Sequence, residues 1–82
     1  MDSVRERILA SVGAMTAVEV ANIRMKDRLC EDLGLDRVAK LELISTIAED
    51  LKLDVELGEA KKIIDVQGLI DFAGLRLQGR SE

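Results

Sequence analysis

An all-helical fold, a small bundle of helices around one aliphatic core, is predicted by three features of this 82-residue sequence. It has no proline, its only aromatic residue is Phe72, and its apolar residues recur at helical spacing. Ala, Leu, Glu, Lys and Arg are abundant, and all are good helix formers. With a hydrophobic share of 48% and one aromatic, the core must be built from Leu, Ile, Val, Ala and Met. A β-sandwich would ask for more Thr, Tyr and turn signals. The length lies below the usual domain size of roughly 100 to 150 residues, so residues 1–82 are expected to form one domain, with 78–82 a frayed tail.

Helix 1 is expected from about Asp2 to Gly13. Val4, Ile8, Leu9 and Val12 form its apolar stripe, Arg5, Glu6 and Arg7 face outward, Asp2 or Ser3 caps its start and Gly13 stops it. Between Ala14 and Asp36 the period weakens. Val18, Val20, Ile23, Met25, Leu29 and Leu33 are spaced to pin a long loop onto the core, with a short helical turn around Ala17 to Asn22. Helix 2 starts at the N-cap Asp36, and Val38, Leu41, Ile44, Ile47, Ala48 and Leu51 give it a broad buried face. Glu59 to Lys62 leaves room for little more than one helical turn. Asp65 then caps a last helix whose inner face is Val66, Leu69, Ile70, Ala73 and Leu77. The expected fold is thus three amphipathic helices and one short one, with a long loop between helices 1 and 2.

Composition also excludes function classes. A net charge of −4 argues against nucleic acid as the main partner, because phosphate backbones are met by clustered Lys and Arg. The single cysteine, Cys30, makes no internal disulfide, and no apolar run is long enough for a signal peptide or a membrane span, so cytoplasmic residence is expected. There is no His, which leaves Cys30 without the base that a nucleophilic pair needs; no enzymatic activity is expected. The acids do not follow the alternating spacing of a calcium loop, so no metal is expected.

The run Cys30-Glu31-Asp32-Leu33-Gly34-Leu35-Asp36-Arg37-Val38-Ala39-Lys40-Leu41-Glu42-Leu43 resembles the signature region of acyl carrier proteins. That family reads Glu-Asp-Leu-Gly, a small or apolar residue, Asp-Ser-Leu, two variable residues, then aliphatic-Glu-Leu. The resemblance continues without gaps through Ile47-Ala48-Glu49-Asp50-Leu51 and Val55, Glu59 to Ile63, and Val66 to Phe72. It implies a four-helix bundle of acyl-carrier-protein type. In the family, the serine after the Asp carries a phosphopantetheine arm whose thiol holds an acyl, aminoacyl or peptidyl group. Here that position is Arg37, which has no hydroxyl for the phosphodiester, so no cofactor is expected on it unless the serine is restored. Asp36 is the other residue that the resemblance places at the cofactor position. Ser45 and Thr46 lie in the middle of helix 2 and do not replace the missing serine. A cation in a first helical turn also opposes the macrodipole, so stability does not explain Arg37.

From Glu31 to Glu59 there are nine acids against three bases, net −6, while the rest of the chain holds seven acids against nine bases, net +2. By the resemblance, an acidic helix 2 steers the domain to Lys and Arg patches on partner enzymes. Glu31, Asp32, Glu42, Glu49, Asp50 and Glu56, with the apolar Val38, are the expected partner-binding residues. Arg37 and Lys40 dilute the negative potential in the first turn. Met25, Cys30, Ile63 and Ile64 are candidates for lining an acyl pocket, with Cys30 at a position that is apolar and buried in the resembled fold.

Three functions follow as expectations. The first is a carrier-like, non-catalytic monomeric domain that docks through acidic helix 2 onto the basic surface of a synthase, ligase or transferase of acyl, polyketide or peptide assembly. The second is a conventional carrier of fatty-acid or secondary-metabolite biosynthesis whose serine is replaced by Arg37. The third is a structural or oligomerising helical domain that uses exposed Leu53, Leu57 or Leu75.

Overall fold

The computed structural model describes residues 2–78. Four α-helices and one 3-10 turn follow in the order α1 (Asp2–Thr16), the 3-10 turn (Val20–Asn22), α2 (Arg37–Leu51), α3 (Leu57–Lys62) and α4 (Val66–Gln78). The described residues contain no strand; Arg28 and Asp65 form an isolated antiparallel bridge. α1 packs on α2, α4 and the 3-10 turn, and α2 packs on α3. The radius of gyration is 11.7 Å, against about 12 Å for a compact domain of this length. No helix among the described residues is long and apolar enough to cross a membrane.

The expected stripes meet in one core. Ile8 and Val12 of α1, Leu43 of α2, and Val66 and Ala73 of α4 are completely buried, and Ile44, Ile47, Leu51 and Leu69 nearly so. Val4, Leu9, Leu41, Ile70 and Phe72 pack against them, half-buried. No polar or charged residue is buried among the described residues, so the core carries no desolvation cost of the kind an unpaired polar group brings. Of the expected loop anchors, Leu29 and Ile23 enter the core, and Val18, Met25 and Leu33 pack at its edge. Val20 remains exposed, and Leu35 is an additional buried anchor.

Several boundaries differ from expectation. α1 does not stop at Gly13 but runs to Thr16, where Ala17 takes a left-handed conformation (φ 62°) and its N–H donates to the Gly13 carbonyl at 2.8 Å. Gly13 has another role. A Cβ built on it would lie 2.9 Å from the Val18 carbonyl oxygen, so the glycine lets the chain fold back closely against α1. With Ala17 ending α1, the turn expected over Ala17 to Asn22 shrinks to Val20–Asn22. α3 begins at Leu57, earlier than the expected Glu59, because the Glu59 carboxylate reaches back to accept the Glu56 N–H at 3.1 Å. Gln78 closes α4 as its last helical residue, while the rest of the expected frayed tail, 79–82, lies outside the described residues. The side chains of Asp2 and Ser3, expected to cap helix 1, also lie outside them.

The two capping aspartates are as expected. The Asp36 carboxylate accepts the Ala39 N–H at 2.7 Å, and the Asp65 carboxylate accepts the Gly68 N–H at 2.7 Å. At the other end of α2, Lys52 takes a left-handed conformation (φ 60°), and the Leu53 N–H donates to the Ala48 carbonyl at 2.8 Å, a Schellman closure. α4 is tied to its neighbours by Arg76, which lies 5.1 Å over the Phe72 ring, pairs with Glu59 and donates to the Asp54 carbonyl at 3.4 Å.

Two glycines inside helices make opposite predictions. Gly74 has open space where a Cβ would stand, so Gly74→Ala should raise unfolding stability by about 0.5 to 1 kcal/mol. Gly13→Ala gains the same helix propensity but drives a Cβ into the Val18 backbone, so a net loss of about 1 to 2 kcal/mol is expected. Urea denaturation followed by far-ultraviolet circular dichroism compares the two; equal effects would refute the close approach at Gly13.

Candidate functional site

The turn that opens α2 is built from the residues that precede it. The Leu29 side chain is completely buried, and residues 29–33 fold into a turn closed by Arg28. The Arg28 carbonyl accepts the N–H groups of Asp32 (2.9 Å) and Leu33 (3.0 Å). In return, the Asp32 carboxylate accepts the Arg28 backbone N–H at 2.8 Å and lies 3.5 Å from its guanidinium Nε. Gly34 follows in the left-handed region (φ 79°), a conformation that costs a glycine nothing. It allows Leu35 to turn inward, where the Leu35 N–H donates to the Leu29 carbonyl at 3.1 Å and the side chain enters the core. Asp36 then caps α2, and Arg37, the first helical residue, is presented to solvent.

The backbone N–H of Arg28 holds the Asp32 carboxyl below its ordinary pKa, with a further lowering from the Arg28 guanidinium and an opposing push from partial desolvation. Asp32 is therefore a local structural acid as well as a surface one. The expected partner-binding acids divide in the same way. Glu31 pairs with Arg28 at 2.8 Å and Asp50 with Arg7 at 3.3 Å. Glu56 stands at the N-cap of α3.

Glu42 and Glu49 make no ion pair among the described residues, and they share one face of α2. Seven residues return a helix to nearly the same face, so Val38 and Ser45 lie along the Glu42–Glu49 stripe and not along the Ile44–Leu51 stripe. This corrects the expectation that Val38 is part of the buried face: it is 64% exposed. A shallow hollow of about 500 Å³ runs along this face, lined by Val38, Glu42, Ser45, Thr46 and Glu49 of α2 and by Met15 of α1. Met15 was missed in the sequence because helix 1 was expected to end before it. In the sequence, Ser45 and Thr46 stand out only as hydroxyls that do not replace the absent serine.

The expected acyl-pocket residues differ in burial. Ile63 is buried in the core, Met25 is half-buried, Ile64 is 60% exposed, and Cys30 is exposed, contrary to its expected burial. Cys30 turns outward because Leu29 just before it takes the inward position in this tight turn. A broader hollow of about 710 Å³ opens between α2 and α3, lined by Ile44, Ala48, Leu53, Val55, Leu57 and Ala60 among others. Leu53, expected to be exposed, is half-buried, whereas Leu57 and Leu75 are exposed. Compared with models of known protein families, the chain matches none.

The turn geometry yields two checks. Asp36→Ala removes the cap of α2 and should cost about 1 kcal/mol; Gly34→Ala forces a side chain into the left-handed region and should cost about as much, both read by denaturant unfolding. Because its folded pKa is lowered, Asp32 contributes stability above the ordinary carboxylate pKa, and this is lost as pH falls through the folded value. Carboxyl-carbon NMR titration should place its midpoint below the ordinary aspartate value. In Arg28→Ala the midpoint should rise only part of the way back, since the backbone N–H remains; full restoration would mean that the guanidinium was the main cause.

Proposed function

We propose that the chain is a carrier-like docking domain, with its helices arranged as an acyl-carrier-protein-type bundle and residues 17–36 as the long loop. In this reading it performs no reaction, carries no arm on Arg37, and binds the basic surface of a synthase, ligase or transferase of acyl, polyketide or peptide assembly. The observation that carries the reading is the face of α2 that begins beside Arg37: exposed Val38 followed by Glu42 and Glu49, two carboxylates without an ion-pair partner among the described residues. An apolar contact flanked by uncompensated acids suits a partner patch of Lys and Arg around a hydrophobic spot, with the charges setting encounter rate and partner choice. The ungapped resemblance from Cys30 to Leu43 supports the family, and the capped turn supports the position of Arg37 as the counterpart of the attachment serine.

A second reading, a conventional carrier whose serine is replaced, is favoured by the same turn. Asp36 caps α2 through its own carboxylate, Gly34 supplies the left-handed step, and neither bond involves the side chain at 37. A serine there would stand exposed at the head of the helix.

Two measurements separate the readings. Titration against candidate synthases, ligases and transferases at low salt should show binding that Glu42→Lys together with Glu49→Lys weakens by about tenfold or more; unchanged affinity would count decisively against docking through this face. Intact-mass measurement after incubation with coenzyme A and a phosphopantetheinyl transferase should leave the chain with Arg37 unmodified. If Arg37→Ser gains the arm and then accepts an acyl group, the conventional carrier scaffold is intact; if it stays unmodified, the second reading fails.

A further inference from the structure

Arg37, Lys40 and Leu41 of α2 and Lys61 of α3 line a hollow of about 280 Å³ beside the turn. The Lys40 Nζ donates to the Lys61 carbonyl oxygen at 3.3 Å, which draws the start of α2 and the end of α3 together. Three of the four lining side chains are therefore cations, and none of them pairs with a carboxylate among the described residues. The ion pairs go instead to Arg7, Arg28 and Arg76, although the chain as a whole carries −4. The nearest acid in sequence, Asp36, is engaged with the Ala39 N–H.

Electrostatics makes this arrangement unfavourable as it stands. Like charges around one hollow repel, and Arg37 and Lys40 stand in the first turn of a helix, where the macrodipole also opposes cations. Lys61 has an ordinary reason to be where it is, in the last turn of α3, where a cation is favoured. Lys40 has the Lys61 carbonyl. Arg37 has neither, and a bound anion would offset the repulsion of all three. A guanidinium fork beside two ammonium groups matches phosphate oxygens better than a single carboxylate, and the hollow exceeds the size of a monatomic anion.

We infer that this hollow binds the phosphate groups of a small molecule, a diphosphate fitting its charge and size best. The inference needs only these four residues and does not rest on the carrier-like reading. Its test involves cations on one side of α2, whereas the docking test involves Glu42 and Glu49, so either can fail alone.

The test is a nitrogen-15 NMR titration of the full chain with sodium pyrophosphate, and in parallel with ADP, against sodium chloride at matched ionic strength. Saturable shifts are expected at Arg37, Lys40, Leu41 and Lys61. The dissociation constant should rise about tenfold in Arg37→Ser and again in Lys61→Ala, with Lys26→Ala unchanged and circular dichroism confirming that each variant is folded. Tighter binding of ADP than of pyrophosphate would assign a nucleotide as the source of the phosphates, and equal or weaker binding the inorganic diphosphate. Shifts that sodium chloride reproduces, or an affinity unchanged in the double variant Arg37→Ser with Lys61→Ala, would overturn the inference.

Discussion

The fold depends on a backbone clasp between the long loop and the start of the last helix. The first N–H groups of any helix lack partners within it, and a loop without regular structure has the same difficulty along its length. Here the two shortages are met together. The Val66 and Gln67 N–H groups of α4 donate to the carbonyls of Asp27 and Met25, each at 3.0 Å, and the Leu29 N–H donates to the Ile64 carbonyl at 2.9 Å. Asp65 supplies the remaining acceptor for Gly68. The clasp also sets Leu29 fully into the core, and from Leu29 onward the turn through Gly34 and Leu35 to Asp36 is determined. Together with the Lys40 bond to the Lys61 carbonyl, it fixes the start of α2 relative to α3.

The charge pattern acquires a different meaning in three dimensions. The acidic excess between Glu31 and Glu59 is partly answered by arginines from outside that segment: Arg7 on Asp50, Arg28 on Glu31 and Asp32, and Arg76 on Glu59. The Arg7 and Arg28 pairs are solvent-exposed and contribute little stability individually, whereas the Arg76–Glu59 pair is half-buried. Their larger effect is on the field, because they leave Glu42 and Glu49 as the uncompensated acids along α2 while Arg37, Lys40 and Lys61 gather on another side. One helix thus presents an acidic, partly apolar face and a cationic end, close together and opposite in sign.

What the sequence made legible was what local chemistry controls. Asp36 and Asp65 could be read as caps because an aspartate before an apolar period has a specific bond to make, and the buried stripes of α1 and α4 follow from spacing alone. What stayed hidden depended on distant partners. Gly13 looked like a helix stop, but its role is to admit the Val18 carbonyl. Val38 looked like core because it is apolar and near the period, yet its angular position belongs to Glu42 and Glu49. Cys30 faces outward because Leu29 takes the inward position. The pairings of Arg7 with Asp50 and of Arg76 with Glu59 join residues far apart in the chain, and no spacing rule reveals them. The turn of the candidate site is legible in the sequence, whereas the hollow that joins it to Lys61 is not, since no spacing rule places the end of α3 beside the start of α2.

Both α1 and α2 end on residues with side chains in the left-handed region, Ala17 and Lys52, where glycine is the usual occupant. A side chain there costs roughly 1 kcal/mol relative to glycine, so the chain holds two unrealised gains in stability at its helix ends. A protein that tolerates such ends is not close to its stability optimum. That leaves evolutionary latitude: the surface around Arg37 can be remodelled toward a new ligand at some cost in stability, and an exchange to glycine at a helix end, such as Lys52 at the opposite end of α2 from Arg37, can restore part of the loss.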